Sequence, residues 1–361
     1  MAEPGSKEND KGQAEARARL LEHAGTARRR GFRPGRAGWA GVGAVCVAAA
    51  VALTLVIGTG DDDGGDDAAR VAQPQRTANA ALLAAADATE RRSAEAGRYL
   101  HTTSRESRLM SAGTRAPSFL VVRKRLADRW QAADPSSDGN RVWIKRLGIR
   151  PQTAADRKAW KAAGSPAAVA ALSPDGTPRV VLKGVGTWQR SGTAEGATGK
   201  AGTLGGRNVT ADQLNALPTD TSGLRTALMA RYEGESGAEQ NQWLFAVTRD
   251  LLDGSLPVHP DVQAAAYRML AELEGVELLG PVQDPDGRRG TGIALDETGG
   301  EFGSVRHTLI IDGETGRLLS ADEVLLEPAQ AYAGIPAGTV RTSTVYESQE
   351  WTDERPAAPR S

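Results

Sequence analysis

Four histidines, His23, His101, His259 and His307, are the side chains best suited to hold a metal or move protons, and they are dispersed along the chain. A protein metal site draws its ligands from short, regular spacings such as two histidines one helical turn apart. None of the four is so placed, and His259, directly before Pro260, reads as a helix-start residue. Ser236 in Gly234-Glu235-Ser236-Gly237 lacks the spacing of a Gly-x-Ser-x-Gly nucleophile elbow and reads as another helix start. Asp284 and Asp286 flank Pro285 before Gly287, where turn chemistry accounts for aspartate without an acid–base role. The glycine-rich stretch Gly196 to Gly206 does not join a strand to a helix in the pattern that cradles phosphate. Asn208-Val209-Thr210 fits a glycosylation triplet, a match common by chance. These residues assign no catalytic group, no cofactor and no metal, and the chain reads as non-enzymatic.

Tryptophan offers the remaining candidates. Trp130, Trp143 and Trp188 fall in segments with strand character, and lining one concave sheet face they would present rigid apolar surface to an acyl chain. The alternative is packing in a core, the usual role of so large a ring.

The elements that must position these groups follow from periodicity. A helix is expected over Thr77 to Glu95, with Leu82, Leu83 and Ala86 on one face. In Phe119 to Trp130, Val122, Leu126 and Trp130 alternate with Arg123, Arg125 and Arg129, which predicts an antiparallel strand with a basic outer face. A turn at Asp138-Gly139-Asn140 pairs it with Arg141 to Ile149. A short helix over Thr153 to Ala163, a strand over Val180 to Gln189 and a loop over Ser191 to Gly206 come next. Thr210 and Gln213 form a capping box for a short helix ending near Pro218. Helical spacing continues over Ser222 to Tyr232, Gln240 to Leu252 and Pro260 to Glu274. The period then changes to that of strands: Val276 to Val282, Gly290 to Leu295, Val305 to Ile311 and Leu318 to Leu326 form an antiparallel meander, with Thr339 to Trp351 as a last strand. Strands, helices and strands without alternating βαβ units make this an α+β domain.

Trp39 to Ile57 is a different kind of segment, 19 residues without a charge. As a helix it would be about 28 Å long, close to the thickness of a bilayer core of about 30 Å. Arginines 28, 29, 30, 33 and 36 precede it and aspartates 61, 62, 63, 66 and 67 follow, which places the N-terminus in the cytoplasm. A cleaved signal peptide has a shorter apolar run and a small-x-small cleavage site, which Gly58-Thr59-Gly60 matches poorly. Cys46, the one cysteine, lies inside the run and excludes an intramolecular disulfide or a multi-cysteine zinc site. The expected organisation is a basic cytoplasmic segment (1–36), a transmembrane helix (37–58), an acidic flexible linker (59–76), an extracytoplasmic α+β domain (77–354) and a disordered tail (355–361).

Composition agrees with a mostly folded chain: hydrophobic residues are 40% and charged residues 25% of the 361. Lys plus Arg (44) nearly cancels Asp plus Glu (45), which argues against nucleic acid as a partner. The positive excess sits beside the apolar run, where topology and headgroup contact explain it.

Several local strings resemble a family of uncharacterised actinobacterial single-pass membrane proteins often encoded beside extracytoplasmic-function sigma factors. They are Leu217-Pro218-Thr219-Asp220, Leu256-Pro257-Val258 before Pro260, Leu273-Glu274-Gly275-Val276, Gly287-Arg288-Arg289-Gly290, and Leu309 to Asp312 with Thr315 to Leu319. The resemblance implies an anchored extracytoplasmic domain, a curved antiparallel sheet similar to the half-barrels of bacterial lipoprotein carriers, and a tie to envelope signalling. It supplies no catalytic residues. His23 lacks the His-x-x-x-Cys-x-x-Cys context of zinc anti-sigma domains, so a direct anti-sigma role is not assigned. Two functions are carried forward. One is an envelope sensor or accessory factor that binds a ligand or envelope protein; the other is a hydrophobic-ligand carrier or chaperone. The lipid bilayer is the partner of the apolar helix in both.

Overall fold

One antiparallel sheet of 11 strands organises the folded domain. The computed structural model describes residues 67–92, 95–112, 119–134, 139–172, 178–191, 200–234, 239–300, 303–328 and 335–360. The apolar run Trp39 to Ile57, the basic segment expected to be cytoplasmic (1–36) and Cys46 lie outside the described residues. Among the described residues no helix is long and apolar enough to cross a membrane.

The strands are β1 (Tyr99–Ala112), β2 (Phe119–Ala132), β3 (Arg141–Pro151), β4 (Ala168–Leu172), β5 (Pro178–Leu182), β6 (Trp188–Ser191), β7 (Gly202–Leu204), β8 (Arg207–Val209), β9 (Glu277–Gln283), β10 (Arg289–Gly300), β11 (Gly303–Ile311), β12 (Leu318–Pro328) and β13 (Val340–Thr352). Their order is β6-β3-β2-β1-β13-β12-β11-β10-β9, with the β4–β5 hairpin joined to the end of β1 and β7–β8 as a separate ribbon. The sheet does not close. The C-terminal meander matches the sequence expectation, and β13 joins it to β1.

The helices are α1 (Asp67–Glu90), α2 (Ala154–Ala162), α3 (Ala211–Asn215), α4 (Thr221–Met229), α5 (Gln240–Leu252) and α6 (Pro260–Ala271). Their starts are legible in the sequence. At α2 the Asp156 amide donates to the Thr153 hydroxyl, and the capping box at α3 pairs Thr210 with Gln213 in both directions. His259 caps α6, its ring nitrogen accepting from the Asp261 amide at 3.3 Å. Nearly every residue of α6 is buried, because α1, α4 and α5 surround it against the sheet. The main apolar core fills that sandwich, with Leu82 of α1, Leu228 of α4, Leu251 of α5 and Leu270 of α6 packed over Ile293, Leu309 and Tyr346.

Several expectations are corrected. β1 is a full 14-residue strand at the centre of the sheet. Its middle, Thr-Thr-Ser-Arg-Glu-Ser-Arg, is polar on both faces, so no alternation marks it. Val180 to Gln189 is not one strand. β5 pairs with β4 and β6 with β3, and the chain between them folds over Gly148, where an added Cβ would fall 2.0 Å from the Lys183 carbonyl oxygen. Residues 202–209, partly read as loop, make the β7–β8 ribbon around Gly205 and Gly206, both at positive φ. α1 begins at Asp67, inside the stretch read as linker, and ends at Glu90. Leu82 and Ala86 are buried, whereas Leu83, about 100° round the helix, is exposed. Glu239 rather than Ser236 stands at the start of α5, and Ser236 lies outside the described residues. Last, the arginine face of β2 is not the outer one. Alternation puts Arg123, Arg125 and Arg129 on the same side as Gln131, whose amide donates to the Ser255 carbonyl at the end of α5. It is the side the helices cover.

Candidate functional site

The helix layer covers only part of that inner face. Beyond the end of α5 a polar cleft of about 280 Å³ opens between the helix and strands β1, β2, β11, β12 and β13. The turn after α5 fixes its edge. Gly254, at φ +70, lies so close to β1 that an added Cβ would sit 2.6 Å from the Thr102 hydroxyl, which donates to the Gly254 carbonyl at 3.0 Å.

One wall carries paired charges. His307 on β11 stands between Glu297 of β10 and Glu323 of β12, with Nε2 2.8 Å from Glu297 and Nδ1 3.9 Å from Glu323. Glu323 also accepts from the Thr342 hydroxyl at 2.7 Å, pairs with buried Arg341, and lies 3.8 Å from Arg249 of α5. Burial pushes the Glu323 carboxyl up, but Arg341, Thr342, His307 and Arg249 together outweigh it and hold it below the usual range. The His307 hydrogen bond lowers Glu297 against a smaller opposing effect of burial. Asp253, at the other end of this group, moves the opposite way. Burial and then the neighbouring Asp250 push its carboxyl up to about 6, although Ser255 and Arg249 favour the charged form.

The other wall is cationic. Arg108 of β1, Arg123, Arg125 and Arg129 of β2 and Arg146 of β3 share the inner face, as the unbroken β1–β2 register and the Arg125–Arg146 pairing require. Glu106 is the acid among them. One of its oxygens accepts from Arg125 Nε at 2.6 Å and the other from Arg129 at 2.5 Å, while Arg129 also donates to the Ser104 hydroxyl at 2.9 Å. Burial raises the Glu106 carboxyl, and the two arginines more than reverse it. The cleft continues past Arg123 and Arg125 into a second groove of about 350 Å³ that reaches Lys124, Arg146 and Arg190 and has no acidic residue in its lining.

The three tryptophans come together on the opposite face. Trp130 and Trp143 are buried in one cluster with Tyr99 and Ala132, and half-buried Trp188 packs against it. The Trp130 indole donates to Asp128 at 2.7 Å, and the His101 ring stacks on it at 3.9 Å with Nε2 3.0 Å from the same carboxylate. Lys145 lies 6.0 Å from the centre of the Trp188 ring. His101 and His307 therefore serve different faces of the sheet, each engaged by carboxylates. Among the described residues no group of three or more His, Cys, Asp or Glu is arranged to hold a metal. The Asp284 side chain accepts from the amides of Asp286 and Arg288 within its turn, in keeping with a turn role.

Sequence reasoning singled out Arg123, Arg125 and Arg129 but not Glu106, Arg108, Arg146, Arg249 or Glu323. Arg108 and Arg146 belong to strands whose pairing with β2 alone brings them beside it. Compared with known protein families and with curated proteins, the chain matches none.

Proposed function

We propose that this chain is a non-enzymatic, membrane-anchored extracytoplasmic protein, an envelope sensor or accessory factor linked to sigma-factor signalling, whose ligand enters the cleft beyond α5. The observation that carries this reading is the cleft itself, where the helix layer leaves the inner face of the sheet open over a set of charged side chains. Its size suits a small ligand or one group of a larger partner. The charge asymmetry around Trp39 to Ile57 supports an inward N-terminus and a bilayer partner. Nucleic acid is not part of this reading.

A carrier built on a half-barrel would need an apolar groove. The inner cleft is lined chiefly by arginine, glutamate, histidine and threonine, and Trp130 and Trp143 are buried in packing. Both features favour the sensor over the carrier. Native mass spectrometry of the full chain, extracted from its own host's membranes in a nonionic detergent, tests the reading. A stoichiometric adduct that a Thr344→Trp substitution in the cleft removes is the expected result. A bare wild-type chain, or an adduct indifferent to the substitution, overturns it.

A further inference from the structure

A single turn forms the edge of the cleft and ties the helix layer to the sheet. Asp253 caps the C-terminus of α5, its amide donating to the Arg249 carbonyl at 2.9 Å. The Gly254 carbonyl accepts from Thr102 of β1 at 3.0 Å, and the Ser255 carbonyl from the Gln131 amide of β2 at 2.6 Å. Asp253 Oδ1 keeps the turn in shape by accepting from the Ser255 amide at 2.8 Å. The close fit of Gly254 on Thr102 leaves the turn two arrangements, seated or lifted.

The carboxyl group in this turn stands where negative charge is least favoured, at the negative pole of a helix dipole. Asp250, one turn back on α5, adds a second acid on the same side. Arg249, the nearest cation, lies 3.3 Å from Asp250 and 3.8 Å from Glu323 of β12. Among the described residues no cation is within ion-pair distance of Asp253 itself. Tyr346 of β13 also faces Asp253 and interacts in turn with Arg129 of β2 and Glu106 of β1, and beyond Glu323 lies His307 of β11. Burial and Asp250 together raise the Asp253 carboxyl to about 6, although Ser255 and Arg249 favour its charged form.

We propose that the turn at 253–255 is a proton-operated latch on the cleft: with a proton on Asp253 it stays seated on β1 and β2, and with the proton gone the carboxylate draws it out into water and the cleft widens at this edge. That the latch admits a ligand rests on the reading of the cleft as a port; the latch itself does not. Linkage sets the sign. The seated turn holds the proton more tightly than a lifted, solvated one, whose carboxyl titrates near its ordinary value of about 4. Acid therefore favours seating, and that advantage is lost as pH rises through 6. Lifting should be about tenfold more frequent at pH 7.5 than at pH 5, so the cleft is most accessible near neutral pH.

Amide hydrogen exchange of the full-length chain in nonionic micelles tests this without any ligand. Peptides covering 253–256 and α6 are followed by mass from pH 5 to 7.5, with rates corrected for the intrinsic pH dependence of exchange. The turn should be less protected than α6 throughout, which shows that it lifts without global unfolding. Its protection should fall about tenfold across this range. Asp253→Asn keeps an acceptor for the Ser255 amide but cannot ionise, so its turn should stay protected at both ends of the range. Asp250→Asn removes the neighbouring charge and should move the midpoint of the response to lower pH. Equal protection of the wild-type turn at both pH values overturns the proposal, as does a turn protected to the same degree as α6. A response that survives Asp253→Asn, or a midpoint that Asp250→Asn leaves in place, overturns it as well. A turn that responds as expected, in a chain whose host-derived adduct is indifferent to Thr344→Trp, supports the latch and overturns the port.

Discussion

Strands β10 and β2 both run inside the sheet with a neighbour on either side, and their inner faces have opposite chemistry. Ile293 and Leu295 of β10 lie buried under the helices, while the matching positions of β2 are Arg123, Arg125 and Arg129. The covering layer makes the difference. α5 and α6 close over the meander and exclude water, so apolar residues are required there. α2 packs over the far ends of β2 and β3, and between it and the turn at Gly254 the inner face stays open and keeps charges that a sealed core would not tolerate. Even the charged residues differ: Glu323 is surrounded by groups that compensate it, whereas on β1 and β2 the one carboxylate of Glu106 is divided between Arg125 and Arg129.

Breaking the compensated side should cost most. Glu323→Ala removes the carboxylate that pairs with buried Arg341, accepts from Thr342 and faces His307 and Arg249, an expected loss of about 3–5 kcal/mol in urea unfolding. A loss below about 1 kcal/mol would mean that the pair is solvated and no different from a surface ion pair. On the opposite face, Trp143→Ala should cost about 3 kcal/mol through the cavity it leaves, and half-buried Trp188→Ala clearly less. If the tryptophans are packing residues, neither substitution changes a cleft-bound adduct in native mass spectra.

Asp253 makes the compensated side sensitive to pH. Its folded-state carboxyl takes up a proton near pH 6, against about 4 when unfolded. The fold therefore binds the extra proton between these values, and stability from this group is gained as pH falls through 6 and lost as pH rises through it. Asp253→Asn should be more stable than wild type above pH 6 by about 1–3 kcal/mol, with the gap closing towards pH 4. Denaturant unfolding at several pH values checks this, and a pH-independent gap would count against an Asp253 whose burial and neighbouring Asp250 outweigh Ser255 and Arg249. Glu323 and Glu106, held low, act in the opposite sense: both variants lose their contribution in acid, so only the difference between variant and wild type is informative.

Much of the helix-covered half was legible in the sequence. The capping residues Thr210 and His259, the Pro260 start and the glycine-linked meander each follow from local chemistry. β1 was not legible, because a strand that serves polar partners on both faces shows no period-two pattern. The alternation in β2 named the right residues as sharing a face and assigned that face to solvent. Alternation shows which side chains go together, and only the tertiary placement of the turn at Gly254 and Ser255 decides which face is covered. Arg108 and Arg146 became site residues through register, a non-local quantity.

The smallest expected effect belongs to Arg108, at the open end of the cleft. Arg108→Gln removes the exposed arginine that stands cross-strand from half-buried Arg123 while keeping a polar side chain. Thermal unfolding of the full-length chain, at low and high salt, should show the variant melting above the wild type at low salt, with the gap closing as salt screens the repulsion. A variant that melts below the wild type at both salt concentrations would contradict this, because Arg108 would then be a support of the fold and not part of a cleft held open for a ligand.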